Sequence, residues 1–303
     1  MPQVLVICGA TATGKTALAA ECAKILGSAV ISADSQLVYK GLDIGTAKPS
    51  EEEKLGVRHY MIDVAEPSSQ YSVSDYQTAA LPVVERYVKE GKIPVICGGT
   101  GFYINSLLFE MSYGHVAAAP AVREKYEKMA ITEGKEAVFA ILEREDPEAA
   151  AKLHPNDLKR VIRALEIKEA GGIKKSDLHD ENIPRFTYLA VCIDYPREQL
   201  YERINLRVDK MFENGLLDEV QGLLVEGIDE NYRCMQAIGY KEVLECLKNG
   251  LLHSTMCDII KQNTRRYAKR QITFFKKMPH LVHLSPEEAV AENVIALLKD
   301  GNA

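Results

Sequence analysis

Val4-Leu5-Val6-Ile7-Cys8-Gly9-Ala10-Thr11-Ala12-Thr13-Gly14-Lys15-Thr16 lies near the start of the chain and decides its architecture. Val4 to Cys8 is a continuous apolar run that stops at glycine, the form of a strand buried on both faces of a parallel sheet. Gly9 to Thr16 fits the phosphate-loop pattern GxxxxGK[ST] in the setting that pattern requires, after a strand and opening a helix. In such a loop the glycines let backbone N–H groups approach phosphate oxygens, and the helix amino terminus adds positive potential. Gly9, Ala10, Thr11, Ala12, Thr13, Gly14, Lys15 and Thr16 are therefore candidate diphosphate- or nucleotide-binding residues, with Lys15 as a point charge and the Thr16 hydroxyl as the candidate Mg²⁺ ligand. A phosphate chain is what the loop recognises; adenine is not read, so ATP is only a default ligand.

Working outward, similar apolar runs occur at Ala29 to Ser32, Tyr60 to Val64, Pro94 to Cys97, Tyr188 to Ile193 and Leu281 to Leu284. Helical periodicity fills the intervals, as at Thr16 to Leu26 and Ser74 to Lys89, so the pattern predicts an α/β fold: a P-loop NTPase-like parallel sheet flanked by helices. The alternation breaks from about Tyr113 to Pro184, which predicts a helical insertion domain (residues 113–186) in a core made of residues 1–112 and 187–303. Within the insertion, Asp146-Pro147 reads as an N-cap with proline at the first helical position, and Gly171-Gly172 ends the helix that starts near Pro155-Asn156-Asp157. From Arg197 to Met278 the sequence is again almost all helical.

Of the 303 residues, 47% are hydrophobic and 26% charged, which excludes disorder and coiled coil as the main architecture. No apolar run approaches the roughly 18 residues of a membrane helix, and the amino terminus lacks a signal-peptide pattern; a cytoplasmic monomer without membrane contact is expected. The seven cysteines show no CxxC pair and no Cys/His cluster at zinc-ligand spacing, so they read as reduced, mostly buried residues. Absence of DDxxD, HExxH and GxSxG removes helical terpenoid-synthase, zinc-hydrolase and serine-hydrolase readings.

Further candidates follow the strands. Asp34, after the second apolar run, sits at the carboxyl edge where open α/β sheets bind ligands, as a metal ligand, a general base or a cap of the next segment. Gly98-Gly99-Thr100-Gly101 forms a second glycine-rich turn at the same edge. In the insertion, Arg160 and Arg163 lie three residues apart on one helix face, suited either to phosphate contacts or to intrachain ion pairs. Lys261 to Lys277 carries seven basic residues and no acidic one, with Ile260, Tyr267, Phe274 and Met278 as a separate apolar stripe. Such local concentration in a chain of net charge −6 points to a polyanion partner.

Taken together, GATATGKT (Gly9 to Thr16), ISADSQLVYKGLDIGTAKPS (Ile31 to Ser50), HYMIDVAEP with QYSVSDY, GGTGFY, HPNDLKRVIRALEI, QAIGYKE and RRYAKRQITFF resemble the tRNA dimethylallyltransferases, or tRNA isopentenyltransferases, over most of the chain. The resemblance implies transfer of a dimethylallyl group from dimethylallyl diphosphate to N6 of the adenosine 3′ of a tRNA anticodon. The phosphate loop would then hold a diphosphate leaving group with Mg²⁺. Asp34 would accept the N6 proton, and Thr100 and Lys15 would complete the catalytic set. Asp34, Ser35, Gln36 and Leu37 would read the adenosine, flipped from its stack. Arg123, Lys159, Arg160, Arg163 and Gln236 would contact tRNA, with the insertion acting as an anticodon-loop clamp.

Two segments depart from the family pattern. Some relatives carry arginine at the position of Gln236, and the Gly171 to Ser176 turn differs from their Gly-Lys-Pro-like form. Competing readings are a phosphate-loop kinase, an adenylate isopentenyltransferase and a non-catalytic RNA-binding switch. The basic stretch and the large insertion favour a tRNA acceptor over a mononucleotide.

Overall fold

A computed structural model describes residues 1–110, 119–178 and 183–300. Six strands, β1 (Val4–Cys8), β2 (Val30–Ser32), β3 (His59–Tyr60), β4 (Val95–Gly98), β5 (Tyr188–Ile193) and β6 (Leu281–Leu284), form one sheet in the order β3-β2-β4-β1-β5-β6. All pairings are parallel. This is the P-loop NTPase-like arrangement expected from the first strand and loop. Because β4 returns between β2 and β1, the loops after β1, β2 and β4 emerge side by side at one edge. That crossover brings together three motifs separated in sequence by up to ninety residues.

The chain divides into two compact units, Met1–Leu108 with Pro184–Ala303, and Phe109–Ile183. The expected first boundary, between residues 112 and 113, lies outside the described residues. The first unit carries α1 (Lys15–Ile25), α2 (Val73–Lys89) and α3 (Gly101–Leu108). The second unit is helical: α4 (Pro120–Thr132), α5 (Lys135–Glu145), α6 (Pro147–Ala150) and α7 (Leu158–Gly171). After β5 the first unit resumes with α8 (Arg197–Glu213), α9 (Leu216–Val225), α10 (Tyr240–Lys248), α11 (His253–Phe275) and, after β6, α12 (Ala291–Asp300).

The sheet core explains the apolar runs. Leu5, Ile7, Val95 and Val191 pack against Leu18, Ala19 and Cys22 of α1 and Val294, Ile295 and Leu298 of α12, all buried. Toward α2 and α3, Tyr76 and Tyr103 stack at 3.9 Å, and the Tyr76 hydroxyl donates to the Ser32 carbonyl at 2.9 Å. The expected strand from Tyr60 to Val64 stops at Tyr60. Met61 and Asp63 take positive φ angles (64° and 56°), which no strand tolerates. The chain turns there, so that Asp63, Val64 and Ala65 donate to the carbonyls of Leu37 and Val38 instead.

The insertion's caps form as read from sequence. The Asp146 carboxylate accepts the Ala149 N–H at 3.1 Å, and Gly172 closes α7 in the left-handed conformation, φ 68°. Its small core gathers Tyr126, Val138, Leu142, Val161, Ile162 and Leu165.

Candidate active site

The phosphate loop is wound tightly over the end of β1. Gly9, Ala12 and Gly14 take positive φ angles of 128°, 64° and 86°. The Ala10 carbonyl accepts from both the Thr13 hydroxyl and Lys15 Nζ, each at 3.0 Å, while Arg203 Nε of α8 donates to the Ala12 carbonyl at 2.8 Å. Burial lowers the Lys15 pKa from its usual value, and the nearby Cys97 and Asp34 oppose that shift. A lysine stripped of water and held beside the loop is prepared for an anion, which would restore its charge's partner.

At the second loop, Asp34 Oδ1 accepts the Gln36 N–H at 2.9 Å, so the capping role is real. Its other oxygen makes no hydrogen bond among the described residues and Asp34 lines the cavity, so both roles coexist. The Thr100 hydroxyl accepts the Ser35 N–H at 3.0 Å, binding the GGTG turn to the Asp34 loop. Thr100 thereby holds Ser35, a lining residue of the outer lobe described below.

Gln271 of α11, almost fully buried, joins the walls. Its Oε1 accepts the Thr11 N–H and its Nε2 donates to the Gly99 carbonyl, both at 2.9 Å. Glycine is needed at 99 and 101 for this approach: a methyl there would fall 2.2 Å from Gln271 Nε2 and 2.0 Å from the Phe274 ring. The glycines of the GGTG turn thus have a concrete cause, close packing of α11 against the turn.

Two partly open cavities share part of their lining and make up two lobes of the candidate site. An inner lobe of about 50 Å³ is lined by Lys15, Thr16, Ser32, Asp34 and Leu37, among others. An outer lobe of about 290 Å³ is lined by Ser35, Gln36, Met211, Ile238, Ile260 and Tyr267, with Gln236 and Arg270 at its wall. Thr11, Asp34, Thr46 and Arg207 line both. The inner lobe's Thr16 hydroxyl and Asp34 carboxylate are hard oxygen donors of the kind Mg²⁺ takes, and the buried Ser32 hydroxyl there has no hydrogen-bond partner among the described residues. The residues therefore fit a hydrated Mg²⁺ and phosphate oxygens.

Comparison with known proteins agrees with this geometry. Residues 37–278 match the IPP transferase family. The chain belongs to that family. The tRNA dimethylallyltransferase of Acetivibrio thermocellus is 42% identical over 99% of this chain and 97% of its own length. The crystal structure of the tRNA isopentenylpyrophosphate transferase of Bacillus halodurans superposes with a TM-score of 0.73 at 37% identity, covering 99% of this chain and 96% of that one. A eukaryotic dimethylallyltransferase captured acting on tRNA gives 0.84 at 29% identity, covering 98% and 78%.

In this IPP transferase, Gln236 stands where some relatives carry arginine and brings no charge to the outer lobe. Gln236 is exposed and donates to the Glu230 carbonyl at 2.6 Å. Arg207 of α8 instead lines both lobes and donates to the Thr46 carbonyl at 3.0 Å; burial lowers its pKa while the Asp34 and Glu53 charges oppose. Its signal was the spacing Arg203/Arg207, one helical turn apart on a face that meets the phosphate loop. Tyr267 was read as part of an apolar stripe, yet it lines the outer lobe; burial, with the Asp34 charge, raises its pKa.

The basic stretch is only partly open. Lys261 pairs with Asp209 at 2.6 Å and Arg265 with Asn205 at 2.6 Å, whereas Lys269, Lys276 and Lys277 are exposed. In the second unit, Arg123 and Arg163 both grip the fully buried Glu166, at 2.8 and 2.7 Å. Burial pushes the Glu166 carboxyl up, but hydrogen bonds from Arg123, Arg163 and the Ala119 N–H outweigh it and hold the carboxyl below its usual value. Arg160 pairs with Asp157 at 3.1 Å on the surface, and Lys159 is exposed. Two of the four basic residues assigned to tRNA in this unit therefore also have structural work within it.

Proposed function

We propose that this chain transfers the dimethylallyl group of dimethylallyl diphosphate to N6 of the adenosine following the anticodon in tRNA, as a cytoplasmic, monomeric enzyme. The observation that carries the reading is the shared wall: Asp34 and Arg207 border both the inner, phosphate-loop lobe and the outer lobe. In the proposed reaction N6 attacks the first carbon of the dimethylallyl group, the carbon–oxygen bond to diphosphate breaks, and the N6 proton passes to the Asp34 carboxylate. Lys15, Arg207 and the loop amides hold the diphosphate, where positive groups stabilise the charge developing on the leaving oxygen. Thr16 is the residue that would hold Mg²⁺, whose contribution when bound is charge neutralisation on the diphosphate. Met211, Ile238 and Ile260 offer apolar contacts to a five-carbon chain, and Tyr267 beside them offers a ring face to a purine.

For tRNA, the reading assigns Ser35, Gln36 and Leu37 to the flipped adenosine, and Lys159 and Arg160 to the phosphate backbone. The test is to incubate the protein with Mg²⁺, dimethylallyl diphosphate and unmodified tRNA, digest the RNA and identify nucleosides by mass spectrometry. N6-dimethylallyladenosine is expected with tRNA and absent when AMP replaces it. Phosphate transfer from ATP with no modified nucleoside would overturn the reading in favour of a kinase. Asp34→Ala is expected to abolish transfer while leaving tRNA affinity within a fewfold.

A further inference from the structure

Cys8, Cys192 and His283 occupy one row across three neighbouring parallel strands. Cys192 of β5 is in register with Cys8 of β1 on one side and with His283 of β6 on the other. Residues in register on parallel strands point to the same face, so two thiols and an imidazole lie side by side. Asp194 follows two residues after Cys192, and its backbone N–H is fixed to the Leu284 carbonyl at 2.8 Å. The Cys192 thiol approaches Asp194 Oδ1 at 3.5 Å, and His283 Nδ1 stands 2.6 Å from Asp194 Oδ2. One ligand atom from each of the three residues lies within 4.8 Å of the others. A tetrahedral ion with bonds of about 2.0–2.3 Å needs ligand separations of roughly 3.3–3.8 Å, so only small side-chain rotations separate this cluster from a closed site.

Cys192 is buried while Asp194 and His283 are exposed, which gives the cluster a fixed inner ligand and an open entry side. The buried Cys8 stands behind Cys192, in register with it on the neighbouring strand. None of these residues lines either lobe of the active site. We propose that Cys192, Asp194 and His283 form a binding site for a borderline divalent cation, zinc, with water in the fourth position. One thiolate, one carboxylate and a neutral imidazole balance the ion's two charges, the thiol proton leaving to solvent on binding. Sulfur and imidazole nitrogen select zinc over Mg²⁺, which keeps to oxygen donors. The site pins edge strand β6 to β5 directly beside Gly9, where a methyl would stand 2.8 Å from Cys192 Sγ. Zinc thereby stiffens the base of the phosphate loop from outside the reaction chamber.

The experiment strips the full-length protein with a chelator and titrates it with Co²⁺ in excess Mg²⁺, reading absorbance. One equivalent is expected to produce a thiolate-to-cobalt charge-transfer band with tetrahedral ligand-field bands, both abolished by added Zn²⁺. Cys192→Ser removes the charge-transfer band. His283→Ala and Asp194→Asn, at exposed positions where folding is not at stake, each weaken binding at least ~10-fold. A melting curve that rises with Zn²⁺ in wild type but not in His283→Ala gives a second readout. No charge-transfer band, or an unchanged titration in Cys192→Ser or His283→Ala, overturns the site and leaves His283–Asp194 as a surface ion pair.

Discussion

Gln271→Ala cuts a side chain that ties the phosphate loop to the GGTG turn. Two hydrogen bonds of 2.9 Å are lost, one on each wall of the active site. They are not equivalent. Thr11 borders the cavity, so water replaces the amide there and the loss is about 1 kcal/mol, whereas the Gly99 carbonyl is buried and left orphaned at about 1–3 kcal/mol. The sum is about 3 kcal/mol, which for a domain of this size lowers the melting temperature by roughly 5–10 °C. Gln271→Glu separates bonding from volume: it keeps the acceptor for Thr11 but sets a carboxylate oxygen against the Gly99 carbonyl. Calorimetry of the ligand-free protein, with donor KM measured alongside, checks both. The two variants are expected to melt early and to bind the donor weakly, because the phosphate loop loses its register against the turn. A Gln271→Glu variant with wild-type melting and donor KM would refute the reasoning, leaving Gln271 as mere filling.

On the proposed role of Lys15, Lys15→Ala removes a charged hydrogen bond to the diphosphate, about 1.5–3 kcal/mol, so affinity for dimethylallyl diphosphate falls roughly 10- to 100-fold; direct binding measurement checks it. Lys159→Ala with Arg160→Ala lowers the salt slope of tRNA binding by roughly 1.4 if both touch phosphate, and an unchanged slope sends those side chains away from RNA. Arg163→Ala, by contrast, destabilises the insertion as well, because it strips a partner from buried Glu166. Glu166 has a depressed folded pKa, so its stabilising contribution is complete above its usual value of 4.5 and is lost as pH falls through the folded value. Acid titration of unfolding is expected to show this loss in wild type and to show less of it in Glu166→Gln.

Local patterns were legible where the chain's own neighbours decide the outcome. Val4 to Thr16 declares strand, loop and helix, and the caps at Asp146 and Gly172 form because their hydrogen bonds are made within a few residues. Tyr60 to Val64 misled because apolar content cannot report backbone turns at Met61 and Asp63; pairing with Leu37 and Val38 decided them. Arg123 and Arg163 were assigned to tRNA through the family resemblance and the Arg160/Arg163 spacing; their shared grip on Glu166 was hidden because Glu166 is remote from Arg123 in sequence and its burial is invisible there. Sequence by itself determined the sheet class, the phosphate loop and the carboxylate at Asp34, since each rests on periodicity or on spacing within one segment. Only the tertiary structure decided that Gln271, Tyr267 and Arg207 complete the chamber, and that Cys192 meets His283. Those contacts depend on strand order and on which helix face meets the sheet edge, and both are set by packing between segments far apart in the chain.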